Sequence, residues 1–550
     1  MQLIDQHTKS IMEGCKERAR EAGLRFEDET LEYIVTNRDL LELSPKMMIP
    51  TLYDYWVHDV EVLKEKGKYE LYPSNPYETV INTRPAISFY NDNNPDWLNV
   101  MIFYHVLAHI DFFQNNQFFR HTWDIDFTGQ ALSDKRLIAR LRSKKGRWVD
   151  YVIEFARSMD NLVGYHQELY HGDAYGSLNG SDRLNYYFDV FLQEEKKVSI
   201  ADYIKEIERY NSCQTDHGDL GEQAFFADVL LRHPEFDALL EKFREADRRT
   251  HLDVFQFVLA NSTFINREDN RWMKPVVEVI RATSLVFQPQ IRTKIMNEGW
   301  ASYWHETLFL KDDRIQGHEA DFARVNAWVT SMPRVGLNPY ALGMRLFYYL
   351  EEMADKGRRS LDYQGLRDAR ARKDFDTGAA GGRDFIFHIR EHYADGRFVS
   401  DFIDQDFVDR HRLFVAGKRM DPQRMVWQYY VKSRSAEAYR AMVAGSLYHP
   451  PHLAIDADKM NDGALYLNHA FEGKPLVQDF IGGTLLGIAY LWGAPVHLET
   501  SEVVASKTSE QSVFIAGRSG PARAETQSAD VTWQRVVYTM KDRKLSRKPL

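Results

Sequence analysis

The chain has 550 residues, 44% of them apolar and 13% aromatic, which is enough to bury a large core and excludes global disorder. With 70 basic and 80 acidic residues its net charge is −10, so it has no overall attraction to nucleic acid, and we expect no nucleic-acid partner. Two cysteines, Cys15 and Cys213, exclude a disulfide framework and a Cys-rich zinc module.

The N-terminal residues lack the pattern of a targeting segment. Residues 1–23 alternate charged and apolar side chains, without the continuous apolar stretch of a secretory signal. No other segment approaches the about 20 apolar residues that a membrane span needs. We therefore expect a cytoplasmic protein without a membrane span.

The first third of the chain predicts helices separated by a small hairpin. Residues 1–23 predict an amphipathic helix, and "FEDETLEYIVTNRDLLEL" is expected to continue in the same helical manner. Prolines then interrupt the pattern, and "ETVINT" and "AISFY" predict two short strands that form a hairpin. From Asn99 to about Leu310 apolar residues recur at helical spacing, so helix should dominate.

The C-terminal part has a different pattern. "HLAID", "ALYLNHA" and "PVHLETS" predict strands, and "LVQDFIGGTLLGIAYLWG" predicts a helix between the last two. We expect a mainly α protein with a helical core domain over 1–430 and a small α+β module over 448–504. A flexible stretch over 505–530 and one last strand, "TWQRVVYTMKD", should follow.

Two histidines in "FYHVLAHIDFF" are the first candidate metal ligands. His105 and His109 are four residues apart, so on a helix they project from one face about one turn apart. The HExxH helices of zinc hydrolases use this spacing, but Val106 stands where those enzymes have the glutamate that accepts a proton from water. The alternative is a pair of core imidazoles that are hydrogen-bonded to carbonyl groups.

The segment "KIMNEGWASYWHETLFL" supplies a carboxylate that matches the histidine pair. Glu298 and His305 are seven residues apart and share a helix face, and a carboxylate buried there needs a partner. "NEGWASY" also resembles the "NEGFASY" segment of gluzincin peptidases, in which the glutamate is the third zinc ligand. His105, His109 and Glu298 would then form a His₂Glu site, with His305 as a fourth ligand or a proton donor. Zinc is the expected metal, and iron and manganese remain open.

The proton acceptor of such a site is not evident from the sequence. We predict His305 and Glu306 as the catalytic residues, with Asp111 and Glu154 as further candidates for the base. Asp111 is two residues past His109 and should point about 160° away from it on an ideal helix. Glu306 should point aside from Glu298. Each of these carboxylates could equally be a surface or helix-end group.

Four polar residues are candidates for substrate binding. Asn115 and Asn116 follow the histidine pair and would either orient a substrate or bond the backbone at a helix end. Arg334 and Asn338 lie in "PRVGLNPYALG", which predicts a loop, where functional groups concentrate.

Several long motifs occur in the order found in the SpoVR family (stage V sporulation protein R-like). They are "HVLAHIDFFQNNQFFRHTW", "KIMNEGWASYWHETLFL", "GLNPYALG" and "LYLNHAFEGKPL…LWGAPVHLE". The stretch "ARKDFDTG…GRDFIFHIREHYADGRFVSDFIDQDFVDRHRLFVAGKR…WQYYVKSR" resembles a longer subtype of the family, found in bacteria that do not sporulate. The family-like positions are His109, Asn115, Asn116, Asn297, Glu298, Gly299, Trp300, His305, Asn338 and Pro339, and His105 matches the members with four-residue spacing.

The resemblance implies a zincin-like helical domain without the usual base and a role in a bacterial stress or sporulation-related pathway. It also implies two partners, a PrkA-type kinase and a von Willebrand-factor-A-like protein, whose genes often neighbour those of the family. We expect a zinc hydrolase of amide or peptide bonds. The alternatives are a non-catalytic regulatory or scaffold protein that acts with those partners, and a non-haem iron site, since two histidines and a carboxylate describe that too.

Overall fold

The structure is a computed structural model that describes residues 2–27, 29–36, 39, 78–122, 127–163, 182–242, 252–421, 426–447, 450–471, 473–504 and 532–550. Helix predominates in these ranges, as predicted. None of the helices described there is both long and apolar enough to span a membrane. The stretch over 505–530 that we predicted to be flexible lies outside the described residues.

A four-stranded sheet and one helix form the N-terminal layer. Strand β1 (Gln2–Leu3) precedes helix α1 (Gln6–Glu21), and β2 (Thr30–Val35), β3 (Glu78–Ile81) and β4 (Ala86–Asn91) follow it; the four strands form one sheet. The strand order is β1-β2-β4-β3. Strands β3 and β4 are antiparallel neighbours, which confirms the predicted hairpin, whereas β2 runs parallel to β4.

The helix predicted for "FEDETLEYIVTNRDLLEL" is wrong over its central part, where β2 lies. Thr30 and Glu32 are buried while Leu31 between them is exposed, so the side chains alternate between two faces as they do in a strand. The β-branched residues Thr30, Ile34 and Val35 also favour a strand. Pairing with β4 therefore decides the conformation of this segment.

Helices account for most of the described residues between this sheet and residue 446. They are α2 (Asp96–Asn115), α3 (Phe127–Lys145), α4 (Trp148–Arg157), α5 (Asp182–Asn185), α6 (Ile200–His217), α7 (Gly221–Arg232), α8 (Val254–Asn261), α9 (Met273–Arg292), α10 (Lys294–Phe309), α11 (Glu319–Val329), α12 (Pro339–Asp355), α13 (Leu361–Gly365), α14 (Ala369–Asp374), α15 (Gly382–His392), α16 (Asp395–Phe402), α17 (Gln405–Arg410) and α18 (Ala436–Ser446). A π-helical stretch, Tyr186–Glu195, precedes α6.

Helix α2 lies at the centre of the main core. Its residues are buried without interruption from Leu98 to Phe113, as expected of a helix that is covered on all sides. Helix α10 packs against α2 and also against α12. The α10–α12 contact is very close, because a Cβ atom added to Gly299 would lie 2.8 Å from the backbone nitrogen of Met344 and closer still to the backbone of Gly343.

The C-terminal module is a five-stranded sheet with one helix. It contains β7 (Leu453–Ile455), β8 (Leu465–His469), α19 (Gln478–Trp492), β9 (Val496–Val504), β10 (Thr532–Lys541) and β11 (Lys544–Pro549), in the strand order β11-β10-β9-β8-β7. Strands β8 and β9 are parallel, and α19 makes the crossover between them. The predicted order strand, strand, helix, strand is confirmed, and so is the last predicted strand, "TWQRVVYTMKD", which is β10. Strand β11 was not predicted, and β10 and β11 extend the sheet beyond the predicted end of the module at 504.

A second core joins this module to the helical part. Val152 of α4 and Ile280 of α9 are buried in one cluster with Leu485 and Ile488 of α19 and Val496 of β9. A separate two-stranded ribbon of β5 (Val415–Asp421) and β6 (Val426–Ser433) lies just before α18.

Candidate metal centre

Helices α2 and α10 bring the two histidines and the glutamate together. His105 and His109 are buried one turn apart on α2, and their ring centroids are 4.6 Å apart. Glu298 projects from α10 toward them. One ligand atom from each of the three residues lies within 4.8 Å of the others. That these residues bind a metal remains a prediction, but the structure gathers them from positions 189 residues apart in sequence.

The spacing of these atoms fits a small cation. The Nε2 atom of His109 is 3.6 Å from Oε2 of Glu298, and Nε2 of His105 is 4.0 Å from the same oxygen. Bond lengths of about 2.0–2.2 Å around a tetrahedral zinc separate two ligand atoms by about 3.4 Å. The Nε2 atoms of His109 and His105 therefore need to approach this carboxylate oxygen by about 0.2 Å and about 0.6 Å, respectively.

The hydrogen bond to Asn297 orients His109 for ligation. Its Nδ1 atom lies 2.9 Å from the amide oxygen Oδ1 of Asn297, which accepts a hydrogen bond, so Nδ1 carries the proton. The other ring nitrogen, Nε2, then presents its lone pair toward Glu298. A lone pair and a carboxylate oxygen repel each other unless a cation lies between them, which is the arrangement that a metal satisfies.

A chain of hydrogen bonds orients His105 in the same way. Glu306 accepts from the Nδ2 group of Asn326 at 2.5 Å, which turns the amide oxygen of Asn326 toward His305. Nε2 of His305 donates to that oxygen at 2.9 Å, and its Nδ1 atom accepts from Nδ1 of His105 at 2.9 Å. His105 is left with an unprotonated Nε2 atom that faces Glu298.

Burial favours the neutral form of His105 and His305, the two imidazoles in this series of hydrogen bonds. Desolvation, together with the neighbouring ring of His109, holds the pKa of His105 well below its ordinary value. Desolvation also lowers the pKa of His305 to about 4. A neutral imidazole is the form that binds metal, so ligation does not require deprotonation of these rings near neutral pH.

The structure gives His305, which we predicted as a fourth ligand or a proton donor, two hydrogen-bond partners. Both of its ring nitrogens are engaged, one with His105 and one with Asn326, and it does not join the ligand group among the described residues. Glu306 accepts from Asn326 and from the hydroxyl of Tyr348, at 3.1 Å, and points aside from Glu298 as expected. His305 therefore positions His105 directly, and Glu306 does so through Asn326 and His305.

The other candidate bases lie apart from the three ligand atoms. Asp111 is fully buried and accepts from Nε1 of Trp300 at 2.8 Å, and its carboxylate lies 3.2 Å from the guanidinium of Arg390. Glu154 is on α4, which packs in the second core, and forms an ion pair with Arg157. Val106 is completely buried among apolar residues.

Three of the four candidates for substrate binding bond the backbone, which for Asn115 and Asn116 is the second of the two alternatives given above. Asn115 donates to the carbonyls of Arg25 and Asp111, and Asn116 donates to those of Arg390 and Tyr393. These bonds tie the end of α2 to neighbouring segments.

Asn338 caps α12, where its amide oxygen accepts from the backbone of Tyr340 and Ala341 and its Nδ2 group donates to the carbonyls of Val329 and Ser331. Arg334 is exposed in the preceding loop.

The structure also shows site residues that the sequence did not suggest. Asn326 on α11 orients His305, and Tyr340 at the start of α12 stacks its ring on His105 with a centroid separation of 6.2 Å. Buried Asp395 accepts from the backbone nitrogens of Ile295 and Met296, and so caps the helix that carries Glu298. Sequence patterns reveal a helix cap only when the capping residue lies just before the helix. Asp395 lies in α16, about 100 residues after the start of α10, so the sequence contains no sign of this cap.

Comparison with known proteins places these residues in a family. The chain is 22% identical over 486 residues to a protein of Escherichia coli (strain K12) named Uncharacterized protein YcgB. The aligned region covers 85% of this chain and 86% of that protein. No solved structure matches, so a zincin-like fold remains a prediction. The model of the SpoVR family, described as SpoVR like protein, matches residues 4–447, which include every residue of the candidate centre. The chain therefore belongs to the SpoVR family.

Proposed function

We propose that this protein is a metal-dependent hydrolase of amide or peptide bonds, with zinc held by His105, His109 and Glu298. The observation that supports the proposal is the convergence of their ligand atoms within 4.8 Å, with each imidazole oriented through its other nitrogen. Three protein ligands leave one position open, as in catalytic zinc sites. Zinc bound there would supply a Lewis acid for a substrate carbonyl and an activated water.

The chain's own residues orient and enclose the ligands. Asn297 and His305 fix the two imidazoles, and Asp395 fixes the start of α10, so that little reorganisation is needed when the site is filled. The ring of Tyr340 covers His105 on one side. The described residues bring no second carboxylate into the ligand group, which fits the replacement of the usual glutamate by Val106. Loss of a general base typically lowers the rate about 10²–10⁴-fold, so we expect a slow hydrolase.

Metal content tests this proposal directly. Protein purified without chelators should contain about one zinc per chain, and His109→Ala and Glu298→Ala should each lose it. His388→Ala is the matched control, because His388 is an exposed histidine outside the centre and its removal should leave the zinc in place. Metal-free wild-type protein would contradict the proposal. Iron or manganese instead of zinc would support the centre and redirect the chemistry, iron toward the oxygen-using alternative.

Hydrolysis itself needs a separate measurement. Zinc-loaded protein should release amines from a mixture of quenched peptides, and Glu298→Ala should abolish this release. Zinc-loaded wild-type protein that cleaves no peptide would favour the second candidate below.

A non-catalytic regulatory or scaffold role is the second candidate. The buried Val106 and the absence of a neighbouring base among the described residues favour it. In this role the protein acts in the cytoplasm with a PrkA-type kinase and a von Willebrand-factor-A-like protein, in a stress or sporulation-related pathway. Capture of these proteins on immobilised wild-type chain, unchanged by Glu298→Ala, would support it. Loss of capture in that variant would contradict a role independent of the centre.

A further inference from the structure

The ribbon formed by β5 and β6, here called the aromatic ribbon (residues 415–421 and 426–433), is anchored at one end and exposed along the rest. Val415 is buried in the main core, next to α18. Farther along, Trp427 is 42%, Tyr429 49% and Tyr430 43% exposed. The two strands pair only with each other among the described residues. An isolated ribbon has little stability of its own, so a surface of this kind suits a partner.

The exposed rings lie on both faces of the ribbon and are accompanied by cations. Trp427 and Tyr429 share one face, where the Nζ atom of Lys418 lies 4.4 Å from the ring centroid of Trp427 and 5.9 Å from that of Tyr429. Tyr430 is on the opposite face, with the guanidinium of Arg419 at 5.7 Å. Each ring therefore has a positive charge beside it.

The ribbon is strongly basic within an acidic chain. Residues 415–434 contain five basic residues and a single acidic one, Asp421, although the whole chain has a net charge of −10. Among the described residues no carboxylate lies within ion-pair distance of Lys418, Arg419 or Arg434. These charges are available to an anionic partner. We expected no nucleic-acid partner from the net charge of the whole chain, but that net charge does not describe a local basic surface such as this one.

We propose that the aromatic ribbon binds single-stranded nucleic acid, with bases stacked on Trp427 and Tyr429 and phosphates paired with Lys418, Arg419 and Arg434. Exposed aromatic rings interleaved with cations are the recurring arrangement for this ligand, because every base has a face that can stack. An anionic membrane would require an apolar face opposed to a polar one. Here the rings and charges are mixed on both faces, which favours stacking over insertion.

Fluorescence anisotropy of a labelled oligouridylate tests the proposal. A length of about 20 nucleotides exceeds the sites of about 4–16 nucleotides that comparable modules occupy. We expect binding that weakens as salt is added, with a logarithmic slope of about −0.7 for each phosphate that is neutralised. Trp427→Ala and Tyr429→Ala should each weaken binding between about 5-fold and 100-fold, and Tyr429→Phe should keep the wild-type affinity because the ring is retained.

Two controls separate this surface from others. Trp328→Ala removes a tryptophan that is 67% exposed on α11, outside the ribbon, and should not change the affinity. Glu298→Gln should also bind as wild type does, so that failure of the metal proposal and failure of this one are distinguishable. Removing two cations together, Lys418→Gln with Arg419→Gln, should weaken binding and reduce the salt slope by about 1.4.

Four results would overturn the proposal. The first is that the oligonucleotide does not bind at low salt, and the second is that the Trp427→Ala and Tyr429→Ala variants bind it as tightly as wild type does. The third is that phosphatidylserine vesicles bind in a ribbon-dependent way while the oligonucleotide does not. The fourth is that only polyglutamate binds in a ribbon-dependent way. The last two would assign the ribbon to a membrane surface and to an acidic protein segment, respectively.

Discussion

The substitution Gly299→Ala should disrupt the candidate centre without touching a ligand. The added Cβ atom would lie 2.8 Å from the nitrogen of Met344 and closer to the backbone of Gly343. Backbone atoms cannot rotate away, so α10 and α12 must separate by roughly 1 Å to restore ordinary carbon contacts of about 3.5–4.0 Å. Glu298, the neighbouring residue, moves with α10.

The cost can be estimated from two opposing effects. Overpacking of a tight core costs about 1–3 kcal/mol, and backbone neighbours place this site at the upper end. Alanine in a helix recovers about 0.5–1 kcal/mol relative to glycine. We expect a net loss of about 2 kcal/mol in the free energy of unfolding. Metal sites tolerate changes of about 0.2 Å in ligand distances, so metal affinity should fall at least 10-fold.

Urea denaturation followed by tryptophan fluorescence measures the first effect, since Trp300 and Trp304 are buried beside this contact. Competition with a chelator measures the second. Gly445→Ala is the matched control: Gly445 lies in α18 with nothing within 4 Å of the added Cβ atom, so this change should be neutral or stabilising. A Gly299→Ala protein with the wild-type urea midpoint and metal affinity would refute the reasoning, as would an equal loss in Gly445→Ala.

Three further predictions concern groups around the centre. Asn326→Leu removes the acceptor for His305 and should weaken metal binding about 10- to 100-fold by chelator competition; an unchanged affinity would show that the hydrogen-bond chain does not orient His105. Asp111→Asn removes the nearer of the two described carboxylates that pair with the fully buried Arg390 and leaves only Glu391, at 3.6 Å. It should cost about 3 kcal/mol in urea denaturation, and a loss below about 1 kcal/mol would contradict this. Burial raises the pKa of Asp395 from 3.8 to about 7, so its contribution to stability is fully present below pH 3.8 and is lost as the pH rises through 7. At about 1.4 kcal/mol for each unit of pKa shift, the stability lost is roughly 4 kcal/mol. The unfolding free energy of wild type minus that of Asp395→Asn should therefore fall by about this amount between pH 4 and 8. A difference that does not vary with pH would contradict the raised pKa of Asp395.

Helical spacing predicted which side chains share a face, and the structure agrees for both helices of the centre. His105 and His109 face Glu298 from α2, and His305 lies on the same side of α10 as Glu298. That the two helices pack together does not follow from periodicity, which carries no information about pairing. It followed from the need of a buried carboxylate for a partner and from the resemblance of "NEGWASY" to peptidases.

The positioning groups could not be predicted in this way. Asn326 and Asp395 reach the centre from α11 and α16, and nothing in their local sequence distinguishes them from surface polar residues. For Asn115 and Asn116 the sequence left two roles open, substrate binding and bonding of the backbone, and in the structure both amides bond the backbone at the end of α2. Strand β2 was missed because its alternation is short and its partner, β4, lies more than fifty residues away.

The second core has a consequence for how the chain can be divided. The family match ends at residue 447, yet Val152 and Ile280 from the matched part share one buried cluster with Leu485, Val496 and other residues beyond it. A chain cut at 447 would expose this apolar surface of α4 and α9 to water, in the same way as a subunit stripped of an obligate partner. The residues after 447 are therefore part of the same folding unit, and a truncated protein should keep the strands up to Pro549 if it is to fold.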